Sequence, residues 1–278
     1  MGGPRWERCA VAGAASSGKT RAMRALITND DGITSPGLTV LAEAALAAGM
    51  EVIVVAPRRD SSGASASLTG AEHDGRLVVE DARPPGLPDG CESLAARAAP
   101  GLIGFLAAHD AFGPRPDVVL SGVNRGANTG HAVIHSGTVG AALAAATHGI
   151  RAMAVSIASA DPEHWVTAGR VTAHVLGWLV EDASPGGVLN VNVPDLPAEA
   201  LFGVRKAPLA RFGAVQARVH EMEGGHLQVT YAEIDPTTDA ESDAGLVAAG
   251  WATLTWLDAP CFDADVDLPE HTGGLVGR

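Results

Sequence analysis

Cysteine is scarce, with 3 in 278 residues: Cys9, Cys91 and Cys261. They are too few and too scattered for a disulfide framework or a zinc knuckle. A reducing, cytoplasmic setting is the expectation. Basic residues are also short, since 19 Lys and Arg against 32 Asp and Glu leave a formal charge of −13. That argues against a non-specific nucleic-acid binder, which needs cationic side chains to displace counterions from phosphates. It leaves room for a small phosphate ligand where a metal supplies the positive charge. Long apolar runs are missing too. The most apolar stretch, Gly137 to Ile150, is mostly Gly, Ala and Thr and stops at Arg151, too short and weak for a membrane span. The first residues, MGGPRWERCAVAG, lack the apolar core of a secretory signal. What is plentiful is core material: 46% hydrophobic and 18% charged residues exclude a disordered chain and a coiled coil.

Short apolar runs alternate with Ala/Leu-rich stretches over the first two-thirds. Ala25–Thr28, Glu51–Ala56, Asp117–Ser121, Ala152–Ile157 and Val188–Val193 read as strands. Their nearly continuous apolar character suits a sheet covered on both faces. Ser35 followed by Pro36 starts a helix, and Gly49 suits its stop. Further helices are predicted over Ser93–His109, Gly137–Gly149 and Glu163–Glu181. The alternation argues for an α/β fold, a doubly wound Rossmann-like, mostly parallel sheet. After Pro194 the pattern changes to short strand candidates, Phe202–Lys206, Ala214–His220, Leu227–Ala232 and Trp251–Trp256. These predict a C-terminal antiparallel β excursion, an arm over about residues 200–256 within a domain spanning 23–260. Residues 1–22 read as a disordered extension and 261–278 as a flexible tail. Trp165, Trp178, Trp251 and Trp256 read as core.

Gly13–Thr20, GAASSGKT, matches the phosphate-binding pattern G-x-x-x-x-G-K-[ST]. The pattern needs a helix after it, and only a few residues separate Thr20 from the first strand. The nest would lack its helix N-terminus, so the match is read as a decoy.

The chemistry-bearing segments gather at the carboxyl ends of strands, where α/β folds place ligands. The first strand runs into Thr28-Asn29-Asp30-Asp31-Gly32. A polar turn explains one Asp. Two at the mouth of a buried strand repel unless a cation or proton stands between them, and a hard divalent ion prefers such ligands. After the second strand comes a Ser/Gly loop, Ser61-Ser62-Gly63-Ala64-Ser65, able to offer hydroxyls and amides. After the third comes Ser121-Gly122-Val123-Asn124-Arg125-Gly126-Ala127-Asn128, and then Ser136-Gly137-Thr138 opens an Ala-rich helix. Ser136 and Thr138 are good caps, and such a helix start is also an anion site. Asn128, Ser136, Gly137 and Thr138 are the substrate-binding candidates.

These segments resemble the SurE survival-protein nucleotidases, metal-dependent phosphatases acting on 5′- and 3′-nucleoside monophosphates. The likeness rests on TNDDGITSPG, VVAPRRDSSGASASLT, PDVVLSGVNRGAN, HSGTVGAALAAATHGIRAMAVS and NVNVP, in the family's order. It spans Met23 to Pro194 and continues weakly through TTDAESDAGLVAAGWATLTWL. The resemblance implies Asp30, Asp31, Ser62 and Asn124 as ligands of one divalent cation per subunit, Mg²⁺, Mn²⁺ or Ca²⁺. It implies Asp30 or Asp31 as nucleophile or base, and a homodimer or homotetramer whose C-terminal arms exchange contacts. The sequence departs from the family at Arg58, Asp60, His131, Ala132 and His135, and over Leu87–Glu92. None of these is a metal ligand. They make the pocket rim less negative, which predicts atypical activity on plain nucleoside monophosphates. The closest histidine pair, His131 and His135, lies between Gly130 and Gly137, where a loop is favoured over a zinc-binding helix face.

The activity expected is hydrolysis of a small phosphorylated substrate, a nucleoside monophosphate first and a non-nucleotide phosphate ester second. Neither nucleic acid nor membrane is an expected partner.

Overall fold

The computed structural model describes residues 21–261, apart from 71, 74, 75, 212–214, 223–225 and 234–238. The GAASSGKT segment and the tail after residue 261 lie outside the described residues. In chain order the elements are β1 (Arg24–Thr28), α1 (Pro36–Ala47), β2 (Glu51–Pro57), β3 (Glu72–His73), β4 (Arg76–Leu77), β5 (Val79–Asp81), β6 (Glu92–Ala96) and α2 (Pro100–Ala107). There follow β7 (Val118–Arg125), α3 (Gly137–Ala146), β8 (Arg151–Ile157), α4 (Trp165–Glu181), β9 (Gly187–Val193), β10 (Gly203–Lys206), β11 (Val215–Met222), β12 (His226–Glu233), α5 (Asp243–Ala248) and β13 (Trp251–Asp258).

One nine-stranded sheet runs β10-β13-β9-β8-β7-β1-β2-β6-β5. Its centre, from β9 to β6, is parallel. Alternate residues of each strand point to opposite faces. Ile27, Val54 and Leu120 meet Leu38, Leu41, Leu176 and Leu179 of α1 and α4. Their neighbours Leu26, Ile53 and Val119 meet Ile103 and Ala107 of α2 on the other face. The sheet is therefore doubly wound, and β1 leads one way to β2 while its other neighbour is β7. The crevice between β1 and β7 is the topological switch point.

The predicted start of α1 is seen in detail. Ser35 is extended at φ −69° and ψ 131°, its side chain accepts from the Gly37 amide, and Pro36 opens the helix. Asp195 plays a similar part for α4, accepting from the amides of Glu163 and His164.

The structure corrects several sequence readings. The helix predicted over Ser93–His109 is a strand followed by a shorter helix. Glu92–Ala96 pairs in parallel with Ile53–Pro57, and Pro100 then takes the first helical position, where its missing amide does no harm. An alanine-rich run has little side-chain preference of its own here, and sheet pairing decides. The antiparallel C-terminal element is present, as β13 against β9 and as the β11–β12 hairpin. Within it, β10 and β13 have joined the main sheet, parallel to each other. The short helix α5 lies in a stretch read as having little helix. Trp178 and Trp256 are not core: they are 45% and 38% exposed and meet edge to face, 6.0 Å between ring centres.

Candidate active site

The site grows from the turn after β1. Asn29 folds back on its own turn, its Nδ2 donating to the Gly32 carbonyl and its Oδ1 accepting from the Gly32 amide, both at 3.1 Å. Gly32 sits at φ +95°, a conformation cheap only for glycine. This turn projects Asp30 and Asp31 into the crevice. The Ser/Gly loop after β2 is stitched to it, with the Ser61 amide on the Asp30 carbonyl at 2.8 Å and the Ile33 amide on the Pro57 carbonyl at 2.8 Å.

Asp30 is 4% exposed and accepts a hydrogen bond from the Thr138 hydroxyl. Burial pushes its carboxyl up, against the hydroxyl and amide of Thr138 that favour the charge. A Cβ at Gly137 would come within 2.8 Å of Asp30 Cβ and Oδ2, so only glycine lets the helix start approach this carboxylate. Burial, then the charge of Asp30, raises Asp31 to about 6. Asp31 Oδ2 is buried with no hydrogen-bond partner. An orphaned carboxylate oxygen costs free energy unless a proton or cation meets it.

The neutral oxygens lie on the loop after β2 and at the end of β7. Ser62 donates its amide and hydroxyl to Asp60 Oδ1 at 2.7 and 2.6 Å. Those two bonds pull the Asp60 carboxyl below its usual range. Asn124, 9% exposed, donates Nδ2 to the carbonyls of Arg125 and Gly126 at 3.1 and 2.7 Å. Its Oδ1 is left as the available ligand. Two carboxylates with hydroxyl and amide oxygens suit a hard divalent cation, and the unpartnered Asp31 oxygen fits one. Among the described residues no group of three or more His, Cys, Asp or Glu is placed to hold a metal ion. His131 and His135 sit exposed on a 3₁₀ turn, Gly130–His135.

The expected substrate-binding residues divide. Ser136 caps α3 by accepting from the Val139 amide at 3.1 Å. Thr138 is fully buried and serves Asp30. Asn128 belongs to a buried amide network. Its amide and Nδ2 reach Asn192 Oδ1 and Ser156 Oγ at 2.7 and 2.8 Å, and its carbonyl accepts from Asn190 and Asn192 at 2.9 Å. That network ties the site loop to β8 and β9. Ser65 Oγ reaches the Ile134 carbonyl at 2.6 Å, joining the Ser/Gly loop to the rim.

Sequence reasoning missed Asp243. It is fully buried and accepts from the amides of Gly130, Ala210 and Ala244 at 2.8–3.2 Å. It anchors the loop carrying the site's rim. The only local signal was Ser242 as a cap for α5. A cavity of about 570 Å³, lined by Trp178, Leu189, Leu254 and Trp256, lies at the start of β9, the opposite end of the sheet from Asp30 and Asp31. Asp182, Lys206 and Asp258 also line it, and none of these belongs to the Asp30–Asp31 site.

Fold and site define a doubly wound α/β protein that gathers carboxylates, hydroxyls and a helix N-terminus at its switch point. Residues 25–216 match the family model described as Survival protein SurE. A 5′-nucleotidase SurE of Xanthomonas campestris is 35% identical over 273 residues, covering 86% of this chain and all of that one. One of Nitrosococcus oceani is 47% identical over 178 residues, 63% of this chain and 66% of that one. A 5′/3′-nucleotidase SurE of Cronobacter sakazakii is 44% identical over 184 residues, 66% of this chain and 68% of that one. The crystal structure of the SurE protein from Aquifex aeolicus superposes with a TM-score of 0.72 at 27% identity, covering 86% of this chain and 95% of that one. The chain belongs to the SurE family.

Proposed function

We propose that the protein is a divalent-metal-dependent phosphomonoesterase that hydrolyses nucleoside monophosphates at the 5′ or 3′ position. The observation that carries this reading is the buried, unpartnered Asp31 Oδ2 beside Asp30 at the switch point. Relatives named 5′-nucleotidase and 5′/3′-nucleotidase favour nucleotides over the non-nucleotide ester suggested by the altered rim. Asp30, Asp31, Ser62 and Asn124 would hold one Mg²⁺, Mn²⁺ or Ca²⁺ per chain. Such an ion supplies charge neutralisation and Lewis-acid polarisation of the phosphoryl oxygens. Thr138 keeps Asp30 fixed. Asp31, at the same crevice, is the carboxylate proposed to accept a proton from attacking water. The N-terminus of α3 at Gly137 offers a preorganised positive dipole where phosphoryl charge builds.

The acidic composition, with its few cysteines, supports a cytoplasmic enzyme that binds small anions through its metal. No helix among the described residues is long and apolar enough to cross a membrane. The family resemblance supports a homodimer or homotetramer. The test is phosphate release from AMP, GMP and an aryl phosphate with Mg²⁺, Mn²⁺ or Ca²⁺, with and without EDTA. Turnover that EDTA abolishes is expected, and full activity in EDTA would overturn the metal dependence.

A further inference from the structure

Arg125 ends β7 directly after Asn124 and is exposed at the mouth of the crevice. Its main-chain amide and its positive charge both favour the ionised form of Asp31, and the charge favours that of Asp60. Some arginines elsewhere on the surface are paired, Arg21 with Asp117, Arg58 and Arg97 with Glu80, and Arg205 with Glu241, at 2.8–3.2 Å. The Arg125 guanidinium forms neither a hydrogen bond nor an ion pair with another described residue. It is therefore left available at the end of β7, next to the site residue Asn124.

A cation held by Asp30 and Asp31 would share this neighbourhood with the guanidinium, and the two positive charges repel. An anion lying between them removes the repulsion and gains from both. A phosphoryl group has the right charge, and its oxygens match the planar fork of arginine. The need is sharpened by the formal charge of −13, whose field repels a phosphate dianion unless a local cation is exposed at the entrance.

We propose that Arg125 is a phosphate ligand of this site, its guanidinium gripping the phosphoryl oxygens on the side away from Asp30 and Asp31. The proposal rests on the phosphatase reading and extends it to a residue outside the metal-ligand set. Being exposed, Arg125 can be replaced without disturbing the core.

Arg125→Gln and Arg125→Lys would be compared with the wild type in three measurements on the full chain. These are binding of inorganic phosphate to the Mn²⁺-loaded protein by calorimetry, KM and kcat for AMP, and the Kd for Mn²⁺ alone. Arg125→Gln is expected to weaken phosphate binding and raise KM by about tenfold or more, with Mn²⁺ affinity unchanged or tighter. Arg125→Lys is expected to recover part of the loss, because it keeps the charge without the fork. Phosphate affinity and KM within about twofold of wild type, with Mn²⁺ bound more tightly, would overturn the proposal and make Arg125 only a counter-charge for Asp31 and Asp60. If no phosphate ester is turned over yet phosphate binding falls in Arg125→Gln, the proposal stands and the phosphatase reading fails. A wild type that binds no phosphate overturns the proposal.

Discussion

Two buried carboxylate centres bracket the segment from Gly130 to Thr138, and they are built differently. Asp243 at one end takes the amides of Gly130, Ala210 and Ala244. At the other end Asp30 takes the Thr138 hydroxyl, while the neighbouring Asp31 keeps a buried oxygen with no partner. Burial raises the carboxyls of Asp243, Asp30 and Asp31 alike, so burial does not tell a structural aspartate from a reactive one. Completion does. The Asp243 centre is closed by main-chain donors, and the Asp30–Asp31 centre keeps one buried carboxylate oxygen without a partner.

The contrast breaks most sharply by mutation. Asp31→Asn keeps the shape and removes the charge. It should lower kcat for AMP by at least about a hundredfold, since metal-based charge stabilisation is worth several kcal/mol. The Tm of the metal-free protein should stay unchanged or rise, because an unpaired buried charge is gone. Asp243→Ala should do the reverse, costing about 2–4 kcal/mol of stability through its orphaned amides. Below its Tm the folded fraction should retain most activity. A fall in activity with Tm intact would place Asp243 in the chemistry and erase the distinction.

Thr138→Val, near-isosteric, takes the hydroxyl from Asp30. A loss of about tenfold in kcat with a small change in Tm is expected, as for one charge-assisted hydrogen bond. The smallest effect concerns pH in EDTA. A carboxyl raised on folding contributes stability that is present below its unfolded value of 3.8 and lost as pH rises through about 6. Thermal scans at a series of pH values should therefore show wild-type Tm gaining on Asp31→Asn as pH falls through about 6. A Tm difference that is flat with pH would deny the shift.

Much of this was legible in the chain. The continuous apolar strands, the Ser35–Pro36 helix start and the adjacent Asp30 and Asp31 at a strand end follow from local rules. The structure brings Asp30, Asp31, Ser62 and Asn124 to the carboxyl ends of β1, β2 and β7, around one crevice. What stayed hidden depended on distance in sequence. Glu92–Ala96 is a strand because β2 and β5 supply its partners, which an alanine-rich run does not announce. Asp243 matters because Gly130, 113 positions away, needs an acceptor. Thr138 reads as an anion-binding cap, and only the fold reveals that the anion it meets is Asp30. The tryptophans misled for the converse reason: a strand or helix position does not say whether another layer covers it, and Trp178 and Trp256 have none among the described residues.

The central claim is that the Asp30–Asp31 centre is incomplete without a cation. Calorimetric titration of Mn²⁺ into chelator-treated protein, wild type beside Asp31→Asn near neutral pH, tests it most directly. The account predicts one ion per chain in the wild type and an affinity at least about tenfold weaker in the variant, as expected when an oxygen-ligand site loses a charged ligand. No binding by the wild type, or equal affinity in the two proteins, would contradict it.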